Sequence, residues 1–204
     1  MFIEYLMELV GGCMKKISVK SALVLVMVVL VSIGLIWVVD RPIDPLASVV
    51  MVWTDGGRGS GVVIAADRVL TCWHVADGAN VRVDGHTVTS VWRDPDSDLA
   101  ILTVEPPFEC RPLEIDKTPL KVGDEVSVVG FPADLPICRL WGRVVAKNCP
   151  VLTTPEADVL DVHAGPGCSG SPVIDKHGRI RALWFAFNTW VDLSYAIPME
   201  DLDE

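Results

Sequence analysis

The sequence predicts an all-β domain that follows an N-terminal transmembrane helix. The chain has 204 residues, which is enough for one ordinary domain and a short additional segment. Residues 21–39 form one uncharged apolar run. After residue 47, about a dozen short β-branched runs alternate with Gly, Asp, Asn and Pro, and no long helical period appears. This spacing is typical of a β-barrel or a β-sandwich, between which periodicity does not choose.

The apolar run at 21–39 is long enough to cross a membrane, because a helix rises about 1.5 Å per residue and the hydrocarbon core is about 30 Å thick. Lys15, Lys16 and Lys20 precede the run and Asp40 follows it. Positive charge stays on the cytoplasmic side, so the rest of the chain should be exported.

Two alternatives to an uncleaved signal-anchor remain open. A cleaved signal peptide would have a shorter apolar region and a small-x-small cleavage site, and we find no such site before Asp40. A buried core helix would be apolar on one face rather than on every face. We therefore expect four segments: a cytoplasmic stretch at 1–20, a signal-anchor at 21–39, a linker at 40–46 and the β domain at 47–204.

The net charge of −10 resides entirely in the exported part, because residues 1–40 carry three lysines and three acids. This balance argues against nucleic acid as a partner. Five cysteines would face an oxidising compartment, and their spacing matches no zinc motif. If the segment around Gly142 is a hairpin, Cys138 and Cys149 could form a disulfide; Cys72 with Cys168 is a second possible pair.

The segment Gly-Pro-Gly-Cys-Ser-Gly-Ser-Pro at 165–172 is the strongest chemical signal. Ser169 stands between small residues where the backbone can turn sharply and present its hydroxyl. The backbone N–H groups of Gly167 and Ser169 could converge on one point, as in an oxyanion hole. A plain Gly/Ser/Pro turn is the alternative.

Two further residues complete a possible catalytic set. His74 ends the apolar run Leu-Thr-Cys-Trp-His, and Asp98 opens the run Asp-Leu-Ala-Ile-Leu, although Asp94 and Asp96 compete with it. A serine hydroxyl needs a histidine to take its proton, and the histidine needs an acceptor on its other ring nitrogen. Taken alone, His74 could be a core residue, and Asp98 could simply mark the start of a strand.

Six segments in order resemble the trypsin-like serine proteases of bacterial type, in particular the HtrA/DegP protease domain. They are GSGVVI, LTCWHVADGANVRV, SDLAILTVE, VGDEVSVVGFP, LDVHAGPGCSGSPVI and SYAIP, which together run from Gly59 to Pro198. The resemblance implies a two-barrel chymotrypsin-like fold. It implies His74 as general base, Asp98 as its orienting acid and Ser169 as nucleophile, with Gly167 and Ser169 supplying the oxyanion-hole N–H groups.

The resemblance also implies how a polypeptide substrate binds. The strand near 182–185 should pair with the substrate backbone. The specificity pocket should be lined by His163, Leu183, Trp184, Phe185 and Ser194.

The function implied is that of a membrane-anchored serine endopeptidase acting on exported proteins in the periplasm or outside the cell, with no cofactor. The alternative is a catalytically inert protease-like scaffold, suggested by Cys168 beside the nucleophile. A thiol there cannot form the ion pair with a new N-terminus that activates digestive enzymes of this type. We therefore expect the exported domain to be competent without N-terminal cleavage.

Overall fold

The computed structural model describes residues 26–31, 44–133, 135–151, 154–200 and 202. Contacts divide the chain into two units, Met1–Pro42 and Ile43–Glu204.

In the first unit, residues 26–31 are helical and their side chains are exposed. The remainder of the predicted signal-anchor at 21–39 lies outside the described residues. Among the helices that the structure does describe, none has the length and apolar character required to span a bilayer. The anchor therefore stays a prediction.

The second unit is all-β and forms two closed antiparallel barrels of six strands each, as the resemblance implied. In the first barrel the strands follow the order β1-β2-β3-β6-β5-β4 around the closed sheet. These strands are β1 (Val49–Thr54), β2 (Gly57–Ala65), β3 (Arg68–Cys72), β4 (Arg82–Val83), β5 (His86–Asp94) and β6 (Leu99–Glu105). A 3-10 turn at Pro45–Ser48 precedes β1, and one helical turn, α1 (Trp73–Ala76), follows β3.

The second barrel closes in the order β10-β11-β12-β9-β8-β7. Its strands are β7 (Glu125–Gly130), β8 (Cys138–Val151), β9 (Thr154–Leu160), β10 (Ser171–Ile174), β11 (Ile180–Asn188) and β12 (Leu193–Pro198).

The burial patterns explain which strands are central. In β3 four consecutive residues are buried, and β6 begins with four more, so this antiparallel pair has both faces covered. In β5, by contrast, no residue is fully buried, and intermediate positions recur among exposed ones. Because β3 and β6 are covered on both faces, the end of β3 and the start of β6 are held in fixed positions. The site described below is built there.

The barrels meet through backbone hydrogen bonds as well as apolar packing. The Ser60 N–H on β2 donates to the Ser169 carbonyl before β10, at 2.7 Å. In the segment that connects the barrels, the Leu113 N–H donates to the Val63 carbonyl, at 2.9 Å. Residues from both barrels join one apolar core cluster, including Leu102 and Leu183. The first barrel therefore directly positions the loop that carries Ser169.

The structure corrects the hypothesis of a Cys138–Cys149 disulfide. Both residues lie on the continuous strand β8, with Cys138 opposite Gly130 and Cys149 opposite Ala157. Eleven strand positions correspond to about 36 Å, whereas a disulfide needs Cα atoms within about 7 Å. Gly142 lies within the strand, opposite Val126, rather than at a turn. A side chain at this position would collide with Asp161.

Cys72 and Cys168 are free thiols as well, like every cysteine among the described residues.

Candidate active site

His74 and Asp98 are brought together by the pairing of β3 with β6. Cys72, the last residue of β3, pairs with Leu99, the first residue of β6. His74 follows two residues after Cys72 on α1, and Asp98 immediately precedes Leu99. The Trp73 N–H donates to the Asp98 carbonyl at 2.9 Å, which closes this junction.

The Asp98 carboxylate binds His74 through both of its oxygens. Oδ1 accepts the backbone N–H of His74 at 2.9 Å, and Oδ2 lies 2.7 Å from the ring nitrogen Nδ1. Asp98 has a φ of 56°, a left-handed conformation that aspartate tolerates better than most residues. The Asp98 side chain is 10% exposed and that of His74 is 47% exposed, so the ring faces solvent and the acid does not.

The competing acids have a different role. Asp94 Oδ1 accepts the N–H groups of Asp96 at 3.1 Å and of Ser97 at 3.4 Å, and so closes the turn between β5 and β6. Asp96 is exposed. Of the three acids considered from the sequence, the structure brings only Asp98 to His74.

The loop before Ser169 is a type II turn. The Cys168 N–H donates to the Gly165 carbonyl at 3.0 Å, Pro166 occupies the second position, and Gly167 has a φ of 92° at the third. A side chain at Gly167 would also collide with the Phe131 carbonyl. This turn type determines which way the Pro166–Gly167 peptide faces.

Two hydrogen bonds from outside the turn hold its carbonyls in place. The Ala133 N–H donates to the Pro166 carbonyl at 2.6 Å, and the Ser60 hydroxyl donates to the Gly167 carbonyl at 2.8 Å. Both carbonyls therefore have a hydrogen-bond donor within the protein.

The N–H groups of Gly167 and Ser169 have no hydrogen-bond acceptor in the part of the chain that the structure describes. Gly167, Ser169 and His74 line one cavity of about 390 Å³. Two unpaired backbone donors beside a hydroxyl and an imidazole can stabilise a negatively charged oxygen.

The Ser169 hydroxyl makes no hydrogen bond to His74 in the described structure. Its Oγ donates to the Phe185 carbonyl at 3.3 Å, a long hydrogen bond. The next residue, Gly170, has a φ of 85° and donates its N–H to the Trp184 carbonyl at 2.9 Å. The backbone around Ser169 is thus fixed on both sides while the hydroxyl is held by one long hydrogen bond.

Ser60 is a residue that the sequence reasoning missed. It is fully buried, its Oγ accepts the Phe131 N–H at 3.1 Å, and its carbonyl accepts the Thr71 hydroxyl at 2.7 Å. Together with the bonds to Gly167 and Ser169, these contacts tie β2 to the whole nucleophile loop. The Gly-Ser-Gly sequence at 59–61 was the available signal, but it indicated only a glycine-rich strand.

Cys168 is buried in the second barrel, where desolvation raises the pKa of its thiol. The thiol is therefore neutral, and position 168 offers no carboxylate to bind a cationic N-terminus.

The predicted pocket residues on β11 and β12 are packed into the protein. Leu183, Trp184 and Phe185 are each at most 5% exposed. Ser194 is buried, and its hydroxyl donates to the Val162 carbonyl at 2.6 Å. None of these four residues lines the cavity shared by His74 and Ser169.

His163, the fifth predicted pocket residue, is exposed. Its Nε2 lies 2.6 Å from Asp192 Oδ2 at the surface. Strand β10 pairs with β11 only as far as Ser171, which lies opposite Trp184. Residues 185–188 of β11 therefore have no pairing with β10 along that edge.

The comparisons with known proteins point to one family. A family model described as a trypsin-like peptidase domain matches residues 59–183. The serine protease PepD of Mycobacterium tuberculosis is 30% identical over 194 residues, covering 75% of this chain and 42% of PepD. A probable periplasmic serine endoprotease, DegP-like, of Ectopseudomonas mendocina is 34% identical over 156 residues, covering 70% of this chain and 33% of that protein.

A solved structure shows the same similarity. The active form of the Rv3671c protease from M. tuberculosis superimposes with a TM-score of 0.65 at 26% identity, covering 76% of this chain and 77% of that one. The chain spans less than half the length of PepD and of the DegP-like protein.

The contacts of Ser60 lead to a stability prediction. Ser60→Ala would leave the partly buried Gly167 carbonyl and Phe131 N–H without their partner, so we expect the free energy of unfolding to fall by about 1–3 kcal/mol. Denaturant unfolding measures it.

Ser171→Ala is the matched control. The Ser171 hydroxyl is also buried but has no partner among the described residues, so its removal should leave the free energy of unfolding unchanged or raise it. Equal losses in the two variants would contradict the assigned role of Ser60.

Proposed function

The chain belongs to the family of trypsin-like peptidase domains, and from this we propose that it is a serine endopeptidase using Ser169, His74 and Asp98. The relatives named serine protease and serine endoprotease support the reaction class. One observation supports this choice of residues: His74, which is hydrogen-bonded to Asp98, lines the same cavity as Ser169.

His74 acts as the general base. Because Nδ1–H donates to Asp98 Oδ2, the proton of the neutral ring resides on Nδ1 and the lone pair on Nε2. Nε2 takes the proton of Ser169 as its oxygen attacks the substrate carbonyl. Asp98 stabilises the imidazolium that results and keeps the ring oriented.

Ser169 must rotate before it reacts. Its hydroxyl donates to the Phe185 carbonyl at 3.3 Å, which costs little to break because the bond is long. Rotation about Cα–Cβ turns the oxygen toward the cavity that His74 also lines. Catalytic hydrogen bonds are often loose in the unliganded enzyme and tighten when substrate binds.

The N–H groups of Gly167 and Ser169 receive the oxyanion. They are the unpaired donors beside Ser169, and the type II turn keeps the Pro166 carbonyl away from them. Attack by Ser169 gives a tetrahedral intermediate, which collapses to an acyl-enzyme as His74 returns its proton to the leaving amine. Water activated by the same histidine then releases the acyl product.

An extended polypeptide binds along the free edge of β11. Residues 185–188 continue beyond the end of β10, next to Ser169, and can form backbone hydrogen bonds with an added strand. The residue before the scissile bond lies beside the pocket positions His163, Leu183, Trp184, Phe185 and Ser194. Because the side chains of Leu183, Trp184, Phe185 and Ser194 are buried, their backbone would form that wall.

The enzyme is anchored in a membrane by residues 21–39, with 1–20 in the cytoplasm and 40–46 as a linker. The domain at 47–204 then works on exported proteins in the periplasm or outside the cell. The lysines before the apolar run and the acid after it support this orientation. The DegP-like relative is named a periplasmic protein.

The first functional prediction concerns Ser169. A fluorophosphonate probe should label the full chain covalently, and Ser169→Ala should abolish labelling and lower kcat for peptide hydrolysis on the order of 10⁶-fold, since the nucleophile is lost. Labelling followed by mass spectrometry locates the modified residue.

Ser171→Ala, two residues away at the start of β10, is the control and should retain labelling. A chain that is folded but never labelled would instead favour the inert scaffold. Loss of labelling in Ser171→Ala but not in Ser169→Ala would overturn the choice of nucleophile.

The second prediction concerns the anchor. A reporter that is active only after export should be active when fused after Glu204, and external protease should degrade the domain in spheroplasts. Deleting 21–39 should leave the fusion inactive and in the cytoplasm. Protection of the domain from external protease together with an inactive reporter would show the opposite orientation.

A further inference from the structure

A buried thiol lies beside the His74–Asp98 pair. Cys72 is fully buried at the end of β3, and its Sγ donates weakly to the Trp184 carbonyl at 3.5 Å. The sulfur, one ring nitrogen of His74 and one carboxylate oxygen of Asp98 all lie within 4.8 Å of one another. The mechanism above makes no use of Cys72.

The backbone holds these three donors in place. Cys72 pairs with Leu99, the neighbour of Asp98, across two strands that are buried on both faces. Asp98 in turn accepts the N–H of His74 at 2.9 Å. The three side chains therefore come from a rigid strand junction, and a ligand that binds all three needs no loop to move.

The donor set has a specific chemical preference. A thiolate sulfur, an imidazole nitrogen and a carboxylate oxygen are the ligands that Zn²⁺ takes in proteins, with bonds of about 2.0–2.3 Å. In a tetrahedral site such bonds place the ligand atoms roughly 3.3–3.7 Å apart. Separations of up to 4.8 Å must close by at most about 1.1–1.5 Å. The Nδ1–Oδ2 separation of 2.7 Å must widen to admit the ion.

We propose that Cys72, His74 and Asp98 form an inhibitory site for a thiophilic divalent cation of the Zn²⁺ class. The ion enters from the solvent-facing side of the His74 ring, and water completes its coordination there. The sequence gives no hint of this site through cysteine spacing, because the three ligands meet only when β3 pairs with β6.

Binding transfers protons but no electrons. The Cys72 thiol releases its proton to solvent as the sulfur–metal bond forms. The metal takes the Nδ1 lone pair of His74, so the ring proton moves from Nδ1 to Nε2, and Asp98 exchanges its N–H···O bond for a metal–oxygen bond. A protonated Nε2 cannot accept the proton of Ser169. This inhibition, unlike binding itself, rests on the proposed function.

The binding test uses Cd²⁺ as the probe, because a cadmium–thiolate bond absorbs in the ultraviolet. The full chain carrying Ser169→Ala is titrated in mild detergent, which separates binding from turnover. We expect a charge-transfer band that saturates at about one equivalent. Cys72→Ala should abolish the band, whereas Cys149→Ala, which removes a half-buried thiol on β8, should leave it. Any of three results would overturn the proposal. They are a band that survives Cys72→Ala, no band at all, and loss of the band with Cys149→Ala.

The inhibition test uses Zn²⁺ and the chain with Ser169 intact. Zn²⁺ should inhibit peptide hydrolysis and probe labelling, Mg²⁺ should not, and a chelator should restore both. Relative to each variant's own rate in chelator, Cys72→Ala should need at least about tenfold more Zn²⁺ for half-inhibition. Equal sensitivity in the two chains would overturn the proposal. If the chain shows neither turnover nor probe labelling in the presence of chelator, the proposed function is refuted. The cadmium band would still decide whether the metal site exists.

Discussion

The carboxylate of Asp98 is the contact on which the candidate site depends. One oxygen holds the backbone N–H of His74 and the other holds its ring. Both bonds require that β3 and β6 be paired in the observed register, with Cys72 opposite Leu99. Because a shift of one residue would turn the side chains to the other face, the core of the first barrel fixes the position of the pair. The left-handed conformation of Asp98 is kept by the same bonds.

Among the described residues, the hydrogen bonds that directly hold the carbonyls of the nucleophile loop come from a backbone N–H and a hydroxyl, which are neutral groups. Its type II turn needs Pro166 and Gly167, and the carbonyls of these residues accept bonds from Ala133 and from Ser60. Since Cys168 is a buried neutral thiol, no ion pair with a new N-terminus is available to shape the turn. The donors of the proposed oxyanion hole are nonetheless unpaired. This arrangement favours the prediction that the domain needs no activating cleavage.

Short β-branched runs were enough to predict an all-β domain, and the order of the motifs implied two barrels. Local patterns could not reveal contacts between distant segments. Ser60 is an ordinary serine in its own strand and becomes important only where β2 meets the Ser169 loop. The same limitation produced the wrong Cys138–Cys149 hypothesis. A glycine in a polar stretch can indicate a turn, but Gly142 lies within β8. It is a glycine because Asp161 leaves no room there for a side chain. The pocket residues could be named by resemblance. The burial of four of them, on β11 and β12, depends on packing across the whole second barrel.

We propose that Asp98 fixes the tautomer of His74 so that Nε2 is free to act as a base. Nitrogen-15 NMR of the neutral ring tests this most directly, with the His74 signals assigned by their loss in His74→Gln. The account predicts a proton on Nδ1, a lone pair on Nε2, and loss of the Nδ1–H signal from its hydrogen-bonded position in Asp98→Ala. A neutral ring protonated on Nε2, or an Nδ1–H signal that Asp98→Ala leaves unchanged, would contradict it.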